Sequence, residues 1–230
     1  MNKKIAVIIV GFLLGGGFSF ANDYNLKKGG INIEYENEYG AKKDVDIERR
    51  PDAICAKVNG GDPENVWGGD YANESIPTPC KKTFLTTMGK LTPMKMADGL
   101  ETYGELEVIE YIKQNANNSD ALLIDARMEA WYKKGTIPTA INIPFKKFDP
   151  KNVIDFEFVL DTIGVEKEDG KYSFEDAKTL LLFCNGSWCP QSSWAMENLM
   201  KIGYPKEKLK WYRAGMYGWK IVNLTTVVPE

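Results

Sequence analysis

The chain has 230 residues, with 29 Lys and Arg against 32 Asp and Glu and no histidine. A formal charge of −3 offers no basic face for nucleic acid. The missing histidine excludes Ser-His and Cys-His catalysis, haem attachment through C-x-x-C-H and the usual zinc enzymes. Cysteine, carboxylates, lysine, tyrosine and backbone groups are left to carry any chemistry.

In chain order, the basic start Met1-Asn-Lys-Lys, an uncharged apolar run over residues 5–14 and small residues at Ser19 and Ala21 predict a signal peptide over residues 1–21. The run is shorter than the roughly 20 residues that a spanning helix needs. Cleavage after Ala21 is therefore expected, giving a soluble protein of the bacterial envelope, periplasmic or secreted. Residues 22–95 are rich in Gly, Asn, Asp, Lys and Pro, with short alternating pieces such as Ile31-Asn-Ile-Glu-Tyr35. They predict an irregular, loop-rich module with a few short strands or turns. This module is the candidate surface for a periplasmic protein partner. Cys55 and Cys80 fall within it, and an oxidising compartment predicts a structural disulfide between them. A four-cysteine zinc site fits less well, because neither cysteine pair has the short C-x-x-C spacing. No metal or other cofactor is expected.

From residue 96 the texture changes. Leu106, Ile109 and Ile112 share one face of a predicted helix over residues 105–114. Residues 121–125 predict a buried strand ending in a carboxylate, and residues 140–144 a second strand stopped by proline. A helix is expected over residues 156–163, closed by Gly164. Residues 179–184 form the most apolar strand. Ser192 or Ser193 is expected to cap the following helix, and Gly203 to end it. Residues 209–213 predict a last strand and 216–223 a last helix. Strands alternating with helices predict an α/β domain over residues 96–230, a parallel sheet with helices on both faces. Active loops of such sheets lie beyond the carboxyl ends of the strands. Cys184 sits at such an end.

The stretch from 184 to 193, Cys-Asn-Gly-Ser-Trp-Cys-Pro-Gln-Ser-Ser, hands a buried strand to a helix. Loop amides and the positive end of a helix favour a thiolate over a thiol, and an amide nest can hold an anionic sulfur adduct. The plainer alternative is an inert cysteine buried at the end of a core strand.

Two longer stretches carry a resemblance. Residues 122–145, LLIDARMEAWYKKGTIPTAINIPF, are similar to the rhodanese pattern of Asp-x-Arg, then Gly-His-Ile-Pro-Gly-Ala and an Asn-x-Pro strand. Residues 180–219, LLLFCNGSWCPQSSWAMENLMKIGYPKEKLKWYRAGMYGW, resemble the rhodanese catalytic strand, loop and helix with the closing Tyr-Arg-Gly-Gly-x-x-x-Trp. The loop is similar to that of exported rhodanese-like proteins with Cys-Asn-Gly-x-Trp-Cys. The resemblance implies a sulfurtransferase in which Cys184 takes sulfane sulfur as a persulfide and passes it to a thiol or other nucleophilic acceptor. Polysulfide, thiosulfate or a protein persulfide would be the donor. The loop from Asn185 through Gly186, Ser187, Trp188 and Gln191 to Ser192 would cradle the persulfide. Asp125 and Arg127 would be structural, tying a strand to its neighbouring loop.

The departures from the pattern matter. Thr136 stands for the family's histidine and Thr139 for its glycine. Gln191-Ser192 falls where the common loop has Arg-Ser, and the loop is two residues longer and uncharged. A missing arginine argues against efficient thiosulfate turnover and more strongly against the phosphatases that share this fold. Arg213, at the end of the next strand, is the candidate substitute. Cys189 is a surplus that would resolve the persulfide, form a reversible disulfide with Cys184, or pack the loop. Two alternatives stand beside sulfur transfer. One is a thiol-disulfide redox protein using Cys184 and Cys189, and the other is a non-catalytic binding module on a rhodanese fold.

Overall fold

Thr179-Leu-Leu-Leu-Phe183 has no polar face, and the fold covers the strand it forms on both sides. The structure, a computed structural model, describes residues 30–49 and 91–229. The predicted signal peptide, Cys55 and Cys80 lie outside the described residues. Among those residues, a hairpin of β1 (Ile31–Glu36) and β2 (Lys42–Ile47) comes first. Strand β3 (Glu101–Tyr103), helix α1 (Glu105–Asn115), strand β4 (Ala121–Asp125), the short helix α2 (Glu129–Tyr132) and strand β5 (Ile141–Asn142) follow. Next come α3 (Val153–Thr162), the hairpin β6 (Glu166–Glu168) and β7 (Lys171–Ser173), and β8 (Thr179–Phe183). Helix α4 (Gln191–Lys201), strand β9 (Leu209–Tyr212) and helix α5 (Gly215–Ile221) complete the chain.

The main sheet has five strands in the order β3-β9-β8-β4-β5, and every neighbouring pair is parallel. It is the predicted α/β architecture. Side chains alternate along β8, as the strand period of two requires. Leu180 and Leu182 join one core, with Phe156, Leu160, Ala195, Met196 and Leu199 of α3 and α4. Leu181 and Phe183 join the other, with Val108, Ile109 and Ile112 of α1 and Met216 and Trp219 of α5. These four apolar side chains of β8 are fully buried, each stabilising the fold by about 2 kcal/mol. This central strand aims the loop that follows it.

The hairpin is part of that second core. Ile33 and Ile47 bury their side chains there, the alternate positions of β1 and β2 staying wet. Asn117 Nδ2 donates to the Glu34 carbonyl at 2.8 Å, and Arg49 Nε to the Val222 carbonyl at 2.9 Å. Among the described residues no helix is long and apolar enough to cross a membrane.

One local expectation is corrected. Ser192 and Ser193 do not cap α4. Pro190 occupies the cap position, and its carbonyl accepts from Trp194 N at 2.8 Å. Its restricted φ is already suited to the first helical turn, so the helix starts before the serines. Ser192 Oγ instead accepts from Trp211 Nε1 at 3.1 Å, and Ser193 Oγ donates back to the Pro190 carbonyl at 2.9 Å.

Candidate active site

Beyond Phe183 the chain leaves β8 at its carboxyl end and runs through Cys184–Cys189 into α4. Helix α5 holds the start of this loop. Met216 N donates to the Cys184 carbonyl and Tyr217 N to the Asn185 carbonyl, each at 2.9 Å. Both bonds require an extremely close approach by Gly215, whose φ is +56°. A Cβ there would lie 2.3 Å from the Cys184 carbonyl oxygen, so only glycine fits. Within the loop, Cys189 N donates to the Gly186 carbonyl at 2.9 Å. The Trp188 ring lies across Gly186, where a Cβ would come within 2.5 Å of it, and meets Tyr217 edge to face with centroids 5.2 Å apart.

Cys184 and Cys189 are joined by a disulfide, with their Cα atoms 6.4 Å apart. Both are buried, at 2% and 6% exposure. Cys184 Sγ lies 3.3 Å from the Cys189 carbonyl oxygen, and Asn185 Nδ2 lies 4.0 Å from Cys189 Sγ. Among the described residues, the N–H groups of Asn185, Gly186, Ser187, Gln191 and Ser192 meet no protein acceptor. These amides belong to the loop that follows Cys184 and to the first turn of an 11-residue helix. That is the electrostatic setting that stabilises a thiolate or a bound anion. Gln191 also has a buried side-chain oxygen, Oε1, with no hydrogen-bond partner among the described residues.

The other predicted positions separate by role. Asp125 is fully buried in β4 and ion-paired with Arg127, Oδ2 to Nη2 at 2.6 Å. Asp125 Oδ1 accepts from the Arg127 N and Nε, and Oδ2 from Thr136 Oγ1 at 2.8 Å. Arg127 Nη2 reaches on to the Gly135 carbonyl at 2.7 Å. Thr136 is therefore part of this knot. Thr139 has a left-handed backbone, with φ at +70°. Arg213 points its guanidinium at the Thr92 carbonyl, from Nε at 3.0 Å and Nη2 at 2.8 Å. Tyr212, beside it, donates its hydroxyl to Glu105 Oε1 at 2.9 Å; burial and then the Glu105 charge push its pKa far above the ordinary phenol value.

Sequence reasoning missed two residues at this site. Gly215 was visible only as the second small residue of the closing motif. Thr92 had no signal at all, since it lies 95 residues from the loop carbonyl it touches.

Residues 108–221 match the family model described as Rhodanese-like domain. The chain carries a rhodanese-like domain over those residues. No curated protein matches the chain. Similar solved structures include a protein from Bacillus halodurans at 20% identity, covering 56% of this chain and 77% of that one with a TM-score of 0.38. A thiosulfate sulfurtransferase from Pseudomonas aeruginosa is 18% identical over 57% of this chain, with a TM-score of 0.41. The match spans only 21% of that enzyme's length. A rhodanese-related protein from Thermoplasma volcanium is 19% identical over 56% of this chain and 99% of its own, with a TM-score of 0.37.

Proposed function

We propose that the protein is an exported sulfurtransferase that carries sulfane sulfur as a persulfide on Cys184. The observation that carries this reading is the position of Cys184. It directly follows the central strand of a rhodanese-like domain and opens the loop into a helix N-terminus, a loop whose amides include several with no protein acceptor among the described residues. In the reduced protein, the Cys184 thiolate attacks the outer sulfur of the donor. The S–S bond of the donor breaks, its remaining thiolate leaves, and the transferred sulfur bears the negative charge that the loop amides hold. An acceptor thiolate then attacks that outer sulfur and returns Cys184 as a thiolate.

The donor we favour is polysulfide or a protein persulfide. The sulfonate oxygens of thiosulfate call for donors in a fork, which arginine supplies. Gln191, at the position of the family's arginine, buries an acceptor oxygen there instead.

The disulfide supports a second activity of the same pair. With Cys189 in reach of Cys184, its thiolate can attack the inner sulfur of the persulfide. Hydrosulfide leaves and the Cys184–Cys189 bond forms. This step reduces the carried sulfur and oxidises two thiols, so an external dithiol or thiol reductant must reopen the site. In the envelope location that residues 1–21 suggest, the disulfide would hold transfer off until such a reductant arrives.

Single substitutions separate the roles. Cys184→Ser is expected to abolish transfer from polysulfide to a thiol acceptor. Cys189→Ser is expected to retain transfer and lose hydrosulfide release coupled to disulfide formation. Transfer that survives in Cys184→Ser and disappears in Cys189→Ser would overturn the assignment of the nucleophile.

A further inference from the structure

We infer that Thr92 and Arg213 are positioning residues for the cysteine loop, a two-link clamp that presets the Cys184–Cys189 pair for closure. This rests on the reading that the pair is a reversible couple. The Ser187 carbonyl, halfway along the loop, accepts from Thr92 N at 2.8 Å and from Thr92 Oγ1 at 2.7 Å. Both lone pairs of that oxygen are engaged by one residue. The Thr92 carbonyl in turn accepts both Arg213 bonds described above. Arg213 directly follows β9, the strand paired with β8. The loop that leaves β8 is therefore tied through Thr92 to the end of the neighbouring strand.

The clamp acts on peptide orientation. Among the described residues no peptide bond is cis, so the Ser187–Trp188 unit is a rigid plane whose C=O and N–H point opposite ways. Holding the carbonyl against Thr92 aims the Trp188 N–H away from Thr92 and sets where the chain turns back toward Cys189. Without the clamp this peptide can rotate, and the two sulfurs sample more separations in the dithiol state. Fewer of those conformers are ready to close, so the effective concentration of one cysteine at the other falls. The Arg213 bonds are charge-assisted and partly buried, the stronger kind of hydrogen bond. Arg213 thus acts on the loop through Thr92, a different role from that of an anion receptor.

The test is the redox equilibrium of the pair in the full-length protein, titrated against glutathione buffers. Alkylation and peptide-resolved mass spectrometry would report Cys184 and Cys189 alone. Arg213→Ala is expected to lower the equilibrium constant for disulfide formation by about three- to tenfold, the loss of a strong hydrogen-bond pair felt in part. Arg213→Lys, with a single donor head, should fall between Arg213→Ala and wild type. Thr92→Val removes only the hydroxyl bond, and a shift of about two- to threefold is expected. It provides the test if Arg213→Ala does not fold. A purely structural role would lower melting temperature and leave this equilibrium unmoved. If wild type titrates and the folded variants share its midpoint, the clamp is wrong. A wild-type pair that does not titrate at all overturns the underlying reading of a reversible couple.

Discussion

Two neighbouring strand ends in this molecule treat their polar groups in opposite ways. Strands β4 and β8 pair in parallel with Asp125 opposite Phe183, and Ala126 N donates to the Phe183 carbonyl at 3.0 Å. Beyond β4, the Asp125 carboxylate takes every donor in reach, from Arg127, Thr136 and the Arg127 amide. Beyond β8, five amides between Asn185 and Ser192 have no protein acceptor among the described residues. A charge sealed on all sides resists exchange and fixes geometry. Donors left open beside a cysteine invite a transient anion. The first end holds the loops of the sheet in place, and the second is the one proposed to react.

The largest effect is expected from breaking the sealed end. Arg127→Ala leaves the Asp125 charge buried and unpaired, which should cost about 3–5 kcal/mol in urea denaturation. Little folded protein would remain. A loss below about 1 kcal/mol would show that the knot is not the anchor described here. Gly215→Ala strikes the open end instead. It places a methyl group against the Cys184 carbonyl and strains a left-handed backbone, at a cost of about 2–3 kcal/mol. Transfer activity should fall further than stability alone accounts for, because the Met216 and Tyr217 bonds to the loop are displaced. Activity per folded molecule equal to wild type would contradict that coupling.

Thr139→Gly runs the other way. A β-branched residue at φ +70° is strained, and glycine should raise stability by about 1 kcal/mol. A lower melting temperature in Thr139→Gly would mean that the threonine's contacts outweigh its strain. The smallest effect tests the donor. Gln191→Arg should improve thiosulfate kcat/KM by about threefold to tenfold relative to polysulfide, as a charged donor replaces a buried acceptor. No change in the ratio would show that Gln191 has no part in selecting the donor.

Much of this frame was legible from residue pattern. The run Leu180-Leu-Leu-Phe183 could only be a strand buried on both faces, and Leu106, Ile109 and Ile112 marked α1. Other elements were hidden for identifiable reasons. Strand β2 reads Lys-Lys-Asp-Val-Asp-Ile, and only Val45 and Ile47 betray its inward face. The hairpin of β6 and β7 has almost no apolar content, yet Asp169 and Gly170 at its turn both have positive φ, 48° and 77°. That pair of residues is a strong two-residue turn signal, and it was there to be read. The α4 cap was misassigned because Pro190 takes the cap position and the Ser192 hydroxyl is used by Trp211, a contact 19 residues away. At the candidate site, the cysteines and loop glycine stood out in the sequence. Thr92 and the use made of Arg213 did not, since they depend on a partnership across 121 residues.

The central claim is that Cys184 carries sulfur while Cys189 answers to it. The direct measurement is the intact mass of the full-length protein, purified reduced, then incubated with polysulfide under anaerobic conditions. Wild type, Cys184→Ser and Cys189→Ser would be compared after removal of excess donor. The account predicts one added sulfur, mapped to Cys184, in Cys189→Ser and no addition at residue 184 in Cys184→Ser. Wild type should instead pass to the Cys184–Cys189 disulfide with release of hydrosulfide. No sulfur on Cys184 in Cys189→Ser, or sulfur carried on Cys189 in Cys184→Ser, would contradict it.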